Sequence, residues 1–580
     1  GGINGAAIAR DAAGRGLSVL LCERDDLASH TSSASTKLIH GGLRYLEHYE
    51  FRLVREALSE REVLWRMAPH IVHPLRFILP YHKGLRPAWM LRAGLFLYDH
   101  LGARKLLPGT TTVNLATSEL GAPLRRDAFR TGFEYSDCRV DDARLVVLNA
   151  QDAATRGAVI ATRTKATSAK AEDGLWHLAV EDTASGQAGR IRARTLVNAA
   201  GPWVAGVLTG VAGLKARARI RLVQGSHIVV PRIFAHDRAY IFQNADGRII
   251  FAIPYEQDFT LIGTTDQDYS GDPRGVKISP EETEYLLAAA SEYFERPVTH
   301  PDIVWTYAGV RPLFNDHKSK AQEATRDYVL TLEGDRVTGA LLNVFGGKLT
   351  THRRLSEEAL ERIETILGKR GEKWTAGSKL PGGEFGPTEF DVQVERLNQL
   401  YPNLADKFLR RLARQYGTRA VTLLGPAKRM QERISTDADL THENGHVAIR
   451  IGCHYGPVVQ EQRDVFGSAV HTANRMTSQA KAKQIITTLS TVQRLSPEWQ
   501  AASRQIDIAT VRGKADEVVL FEVLWQPEEA TSMLPTVGHG RKTGTRPKRL
   551  SLRYQGREVT VGEGRKSATL GRAEDNDVVV

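Results

Sequence analysis

The chain has 580 residues, 42% hydrophobic and 25% charged, with a formal net charge of +11. The length suits roughly three to five globular domains, and no run of about 18 uninterrupted apolar residues marks a membrane span. Cys22, Cys138 and Cys453 are too scattered for a disulfide framework or a metal cluster, which fits a reducing cytoplasm, and no nucleic-acid module accompanies the modest positive charge.

The first element is GGINGAAIARDAAGRG, a glycine cluster running into a helical stretch. A dinucleotide-binding fingerprint takes the form strand, G-x-G-x-x-G, helix, second strand, acid. Its glycines let the backbone approach a pyrophosphate seated on the helix N-terminus. Gly2 and Gly5 occupy the second and third glycine positions, with Gly1 as the residue before them. The strand LSVLLCE ends on Glu23, at the spacing of a ribose-hydroxyl acceptor. The first glycine and its leading strand would precede Gly1, so that strand, central and buried on both faces, is expected to be missing. An incidental glycine-rich turn is the alternative.

Farther along, WMLRAGLFLYDHLGARK reads as an amphipathic helix with a basic end, suited to a core or cap position or to a membrane surface. To about residue 370, apolar runs (TLVNAAG, SHIVVP, RIIFAIPY, FTLIGTT) alternate with helical stretches. This predicts an α/β layer backed by a mixed or antiparallel sheet. FGGKLTTHRRLSEEAL is a Gly-Gly loop entering a helix, whose dipole and free amides favour a negative group; an ordinary helix cap is the alternative. Residues 388–425 have apolar residues at helical spacing. HVAIRIGCHYGPVV then returns to strands, GSAVHTANRMTSQAKA to helix, and a Pro/Gly/Thr-rich basic linker leads to short closing strands.

From residue 1 to about 425 these motifs, with TSSASTKLIHGGLRYLEH, GFEYSDCRVDDARLV, NAAGPWV, IGTTDQDY and TYAGVRPL, closely resemble the FAD-dependent glycerol-3-phosphate dehydrogenases. The resemblance implies FAD as cofactor, oxidation of glycerol 3-phosphate to dihydroxyacetone phosphate, and a quinone as electron acceptor. It also implies a D-amino-acid-oxidase-like fold: a Rossmann-like FAD-binding domain with a mixed or antiparallel substrate sheet over residues 1–370, then a truncated helical cap at 371–427. A cytoplasmic enzyme in peripheral contact with the inner face of the membrane, and a homodimer, are further expectations. Ala7 and His352 depart from the family, which usually has Gly and Tyr there.

Matched residue by residue, the resemblance assigns Gly1, Gly2, Gly5, Glu23, Ser35, Lys37, Leu38, Gly201, Gly347, Lys348, Leu349 and Thr350 to the cofactor. Arg44, Arg311 and Lys348 match substrate-binding positions, suited to a phosphate by a guanidinium fork and a point charge. His227 matches an active-site histidine able to accept the hydroxyl proton, with a satisfied core histidine as the alternative. Tyr45 is a candidate substrate contact.

Residues 428–527 resemble instead part of a class III nucleotide cyclase domain, a ferredoxin-like half-domain. RIGCHYGPVVQEQRDVFGSAVHTANRM carries Asp464 at the base-reading position, His471 where the family has Asn, and Arg475 at the transition-state arginine. Lys514 matches a purine-contacting lysine. The two metal-binding aspartates have no match upstream, so no metal site and no cyclase activity are expected. After a linker at 528–547, residues 548–580 resemble the start of a forkhead-associated β-sandwich, with Arg572 at its phosphate-contacting arginine. Two other readings compete with a dehydrogenase carrying a foreign tail. One is a cyclase and forkhead-associated signalling protein with a flavin domain as sensor; the other is a non-functional fusion of fragments from unrelated reading frames.

Overall fold

A computed structural model describes residues 1–425 except 103–105, 216–219, 245 and 315–326. Beyond that it describes 441–442, 445–446, 451–453, 459–461, 464–466, 485–495, 497–510, 517–523, 550–554, 557–561, 570–571 and 578–579. The chain divides into two compact units, residues 1–448 with 460–465, and the remainder.

Helix α1 (Ile3–Gly14) leads the first unit, and its alanines are what let it pack closely on several partners. Ala9 and Ala13 meet Leu21 of β1 (Leu20–Cys22), while Ile8 and Ala12 join a separate cluster with Leu342 and Val344. Ala7 is buried within the same regular helix. A short strand β2 (Leu38–Ile39) follows, then α2 (Phe51–Met67), β3 (Val72–Tyr81) and α3 (Ala88–Leu101). Next come β4 (Thr111–Asn114), β5 (Thr131–Val140), α4 (Asp142–Thr155) and β6 (Val159–Ala161), which pairs in parallel with β1. β7 (Thr164–Glu172), β8 (Leu175–Asp182) and β9 (Ala188–Ala193) form an antiparallel meander, and β10 (Thr195–Asn198) returns to the cofactor side.

The substrate side is one large mixed sheet. It takes β11 (Ile220–Pro231), β12 (Ala239–Gln243), β13 (Ile249–Tyr255), β14 (Phe259–Gly263) and β15 (Gln267–Asp268) in the order β15-β11-β14-β13-β12-β3-β5-β2. Helix α5 (Pro280–Tyr293) opens with a complete capping box between Ser279 and Glu282. β16 (Trp305–Phe314) pairs with β11 over ten residues. Alternation along β11 sends Ile228 and Val230 into a core with α5, and Val229 into the opposite core with α2 and α3. β17 (Val329–Glu333) and β18 (Ala340–Phe345) complete a three-stranded sheet with β10, parallel between β10 and β18. Helix α6 (His352–Leu367) packs Leu355, Ala359 and Leu360 beneath it. The helical cap comprises α7 (Phe390–Leu400) and α8 (Asp406–Tyr416), held together by Val394, Leu397, Leu409 and Leu412. The mixed α/β architecture expected from the sequence is thus present.

In the second unit, Ile451–Cys453, Ile485–Thr488, Glu517–Val523 and Ser503–Thr510 form a four-stranded sheet in that order, its first pair parallel. Leu550–Tyr554 and Arg557–Val561 form an antiparallel pair.

Candidate active site

Two helix N-termini meet in the first unit. Gly2 caps α1 without a side chain, and the Ile3 amide donates to Ser32 Oγ at 3.0 Å. The Asn4 amide group donates to the Gly346 carbonyl at 3.0 Å, while Asn4 Oδ1 is buried with no partner among the described residues. Gly346 and Gly347 have φ of 71° and 100°, and a Cβ on Gly347 would lie 2.8 Å from Asn4 Nδ2. Conformation and space both demand glycine there. Lys348 then leads through the 3-10 turn Leu349–Thr351 into α6. Thr350 Oγ1 accepts from the His40 amide at 3.3 Å and donates to its carbonyl at 3.4 Å. At the start of α6, His352 is fully buried and its Nδ1 lies 2.6 Å from the Leu349 carbonyl.

Glu23 follows β1, with Oε1 accepting from the Asp25 amide at 2.9 Å. A Cβ on Gly1 would lie 2.7 Å from Glu23 atoms, and one on Gly5 would stand 3.6 Å from Ala199. Gly201 follows β10 with a φ of 55°.

The HGGLRY turn carries Arg44 and Tyr45 and is anchored from behind. The Gly41 amide donates to Tyr98 Oη at 2.9 Å, Tyr98 donates to Asp137 at 2.8 Å, and Arg61 donates to Asp137 at 2.6 Å, all buried. The Lys348 ammonium lies 3.9 Å from the Tyr45 ring centroid. Arg44 is half-buried, and neither its side chain nor that of Lys348 has a hydrogen bond or ion pair with another described residue.

Strands β11 and β16 bring the second set, with His227 opposite Tyr307 and Val223 opposite Arg311. His227 is fully buried, its ring stacked on Tyr307 at 4.7 Å between centroids. Its Nε2 lies 3.0 Å from Thr36 Oγ1, and its Nδ1 has no partner among the described residues. Burial, then the Arg311 and Lys37 charges, hold the ring well below the usual histidine range, so it is neutral at pH 7. Arg311 lies across Gly225, where a Cβ would stand 2.7 Å from its Cζ. Its guanidinium donates to Thr264 Oγ1 at 3.0 Å, to the Thr265 carbonyl at 3.3 Å and to Asp266 Oδ1 at 2.5 Å.

Residues 31–37 tie the two sets together. Thr31 Oγ1 donates to the Val310 carbonyl at 2.7 Å and Tyr307 donates to the Ser35 carbonyl at 2.8 Å. Ser35 Oγ and Lys37 Nζ each donate to Asp142 at 2.7 Å. With those side chains committed and Leu38 in the core, these three residues offer a cofactor mainly their backbone.

Residues 32–40 thus touch both sets: Ser32 and His40 bond Ile3 and Thr350 at the two helix N-termini, Thr36 bonds His227, and Lys348 lies over Tyr45. Sequence reasoning missed Asn4, Thr36, His40, Asp142, Tyr307 and the Thr264–Asp266 loop. Each lay within or beside a quoted motif, but only strand pairing and loop closure reveal its partner. Asp464 begins a short strand, Asp464–Phe466, of which only the backbone is described; His471, Arg475, Lys514 and Arg572 lie outside the described residues.

The sequence matches the FAD dependent oxidoreductase family over residues 1–353, and the adenylate and guanylate cyclase catalytic domain over residues 412–523. It is 54% identical over 445 residues to a glycerol-3-phosphate dehydrogenase of Pseudomonas aeruginosa, covering 77% of this chain and 84% of that one. It is 51% identical over 446 residues to the aerobic glycerol-3-phosphate dehydrogenase of Escherichia coli, covering 77% and 87%. With the D-erythritol 1-phosphate dehydrogenase of Brucella abortus it shares 50% identity over 432 residues, covering 74% and 86%. The fold is similar to that of a glycerol-3-phosphate dehydrogenase from Bacillus halodurans complexed with FAD, with a TM-score of 0.57, 29% identity and coverage of 73% and 75%.

Proposed function

The chain belongs to the FAD-dependent oxidoreductases, in the glycerol-3-phosphate dehydrogenase group, and from that membership we propose that it oxidises glycerol 3-phosphate to dihydroxyacetone phosphate and passes the electrons to a quinone. The observation that carries the reading is that residues 32–40 bond the α1 N-terminus at Ile3, the α6 entry at Thr350 and His227.

The residues present fit FAD. The glycines at 1 and 2 leave room where Cβ atoms would press on Glu23 and Ser32, Asn4 keeps a buried acceptor with no partner among the described residues, and Gly347 opens the approach to α6. Glu23 would hold ribose hydroxyls, the start of α1 the pyrophosphate, and residues 347–350 the pyrimidine edge of the flavin. Bound there, FAD supplies the acceptor for the hydride that leaves substrate C2.

The protein's own groups do the rest. Arg311, Arg44 and Lys348 take the phosphate, a guanidinium fork and a point charge suiting its oxygens. Tyr45 holds the Lys348 ammonium over its ring. In the tautomer that donates from Nε2 to Thr36, neutral His227 presents its Nδ1 lone pair to the substrate hydroxyl and takes its proton. The amides and dipole at the head of α6 favour the negative charge that reduction creates.

A peripheral membrane site suits a quinone acceptor, and α3 supports one. Trp89, Met90, Phe96 and Leu97 are exposed on it, beside Arg86. No helix among the described residues is long and apolar enough to cross a membrane. The cyclase-like segment is taken as a catalytically inactive tail, followed by the start of a forkhead-associated domain.

The test is a purified chain loaded with FAD and offered glycerol 3-phosphate or D-erythritol 1-phosphate with a dye acceptor. Bleaching of the flavin and dye reduction with the first substrate support the reading. A flavin that stays oxidised with glycerol 3-phosphate, or bleaches only with the second, overturns it.

A further inference from the structure

Arg311 is aimed by a chain of buried polar groups that crosses the substrate sheet. The loop Thr264–Asp266 supplies the three acceptors described above, but the hydroxyl of its middle residue turns the other way. Thr265 is 1% exposed; its Oγ1 accepts from the Ser226 amide at 2.9 Å and donates to Glu282 Oε1. Glu282 is 4% exposed, and its other oxygen accepts from Gln224 Nε2 at 2.5 Å and the Ser279 amide at 3.0 Å. Gln224 in turn donates to the Lys277 carbonyl at 2.7 Å.

Helix α5 does not need this carboxylate for its cap. Ser279 Oγ already accepts from the Glu282 amide at 3.1 Å, and a glutamine would close the capping box with less desolvation. Burying a carboxylate beside the core of Ile228 and Leu286 is costly unless its acceptors are filled. Here they are filled, and one of the donors is the loop that holds Arg311.

We infer that Glu282 is a positioning residue for Arg311: it fixes Thr265, and through Thr265 the pose in which the Thr264–Asp266 loop presents the guanidinium to the substrate phosphate. The inference rests on the proposed role of Arg311 as a phosphate ligand. Fork-to-phosphate bonding depends steeply on angle, so a loop displaced by about 1 Å weakens binding about tenfold or more. Chemistry on bound substrate is touched far less.

The experiment uses the full FAD-loaded chain, with steady-state kinetics on glycerol 3-phosphate and titration of inorganic phosphate followed by flavin absorbance. Glu282→Gln and Thr265→Val are expected to raise KM and the phosphate Kd about tenfold, with kcat within about twofold. Thr265→Ser, which keeps the hydroxyl, restores both constants. Combining Glu282→Gln with Arg311→Lys adds little to Arg311→Lys alone, because both act on one contact. Should Glu282→Gln fail to fold, the Thr265→Val and Thr265→Ser pair carries the test. An unchanged KM and phosphate Kd, or a loss of FAD content and kcat with KM unchanged, overturns the inference. If Arg311→Lys leaves KM unchanged, the ligand role of Arg311 falls as well; if it raises KM and Glu282→Gln does not, only the positioning role falls.

Discussion

Asn4 donates to the carbonyl of Gly346, 342 positions later in the chain, at 3.0 Å. That bond joins the start of α1 to the loop entering α6, the two ends of the proposed FAD cradle. Asn4→Ala removes it and leaves the Gly346 carbonyl without this donor, a loss of about 1–2 kcal/mol. Titration of the apoprotein with FAD should show Kd rising about five- to thirtyfold, while kcat of the saturated enzyme stays close to wild type.

Two glycines beside the reacting groups should respond differently to alanine. A Cβ on Gly225 meets the tip of the Arg311 side chain and Thr264 Oγ1, so the guanidinium can move aside. A Cβ on Gly263 stands 2.7 Å from Cγ of His227, a buried ring stacked on Tyr307 and bonded to Thr36. Gly225→Ala should raise KM about tenfold with little change in Tm. Gly263→Ala should lower stability by about 1–3 kcal/mol, measured by urea denaturation.

Acid should weaken the fold through its buried histidines. Burial, with Arg144 and Arg419 adding, pulls His70 down to about 3. Burial, then Arg353 and Arg10, pulls His352 down to about 4 against the pull of its Leu349 contact. Below the unfolded value near 6.5 the unfolded chain binds protons that the folded chain refuses. The stabilisation is therefore complete above that pH and lost as pH falls toward 4 and 3. His352 alone contributes about 3 kcal/mol over that window. Urea midpoints measured from pH 7.5 to 4.5 should fall, and fall less steeply in His352→Gln, whose amide keeps a donor for Leu349.

The exposed face of α3 gives the membrane reading its own test. Trp89 is 70% exposed and Phe96 58%, and burying both in an interface is worth ~3–6 kcal/mol. Trp89→Ser with Phe96→Ser should abolish sedimentation with anionic phosphatidylglycerol vesicles while dye reduction with glycerol 3-phosphate persists. Undiminished sedimentation would place the contact elsewhere.

The cofactor side was legible because its grammar is local: Gly2, Gly5 and Glu23 sit within one helix and one strand of each other. The strand LSVLLCE shrank to Leu20–Cys22 because its partner β6 offers only three residues. Gly225 carried no signal, since its reason is Arg311 on a strand that only the β11–β16 register brings alongside. Resemblance singled out His227, but its burial under Tyr307 and its bond to Thr36 depend on three separate segments closing together. Glu282 looked like half of a capping box, which it is. Its second partner, Thr265, belongs to tertiary structure.

The substrate sheet is stitched from two distant stretches, β2 to β5 and β11 to β16, joined where Ala239 and Tyr240 run parallel to Phe77 and Ile78. Between them in the chain lie α4, β6 and β10, which belong to the cofactor side. Neither half can be lifted out as a contiguous piece. A nascent chain holds the first strands with unpaired edges until the later ones are translated, a wait that exposes them to chaperones and to wrong partners. Recombination between relatives can exchange this body whole, or at two matched cuts, but not by a single crossover inside it.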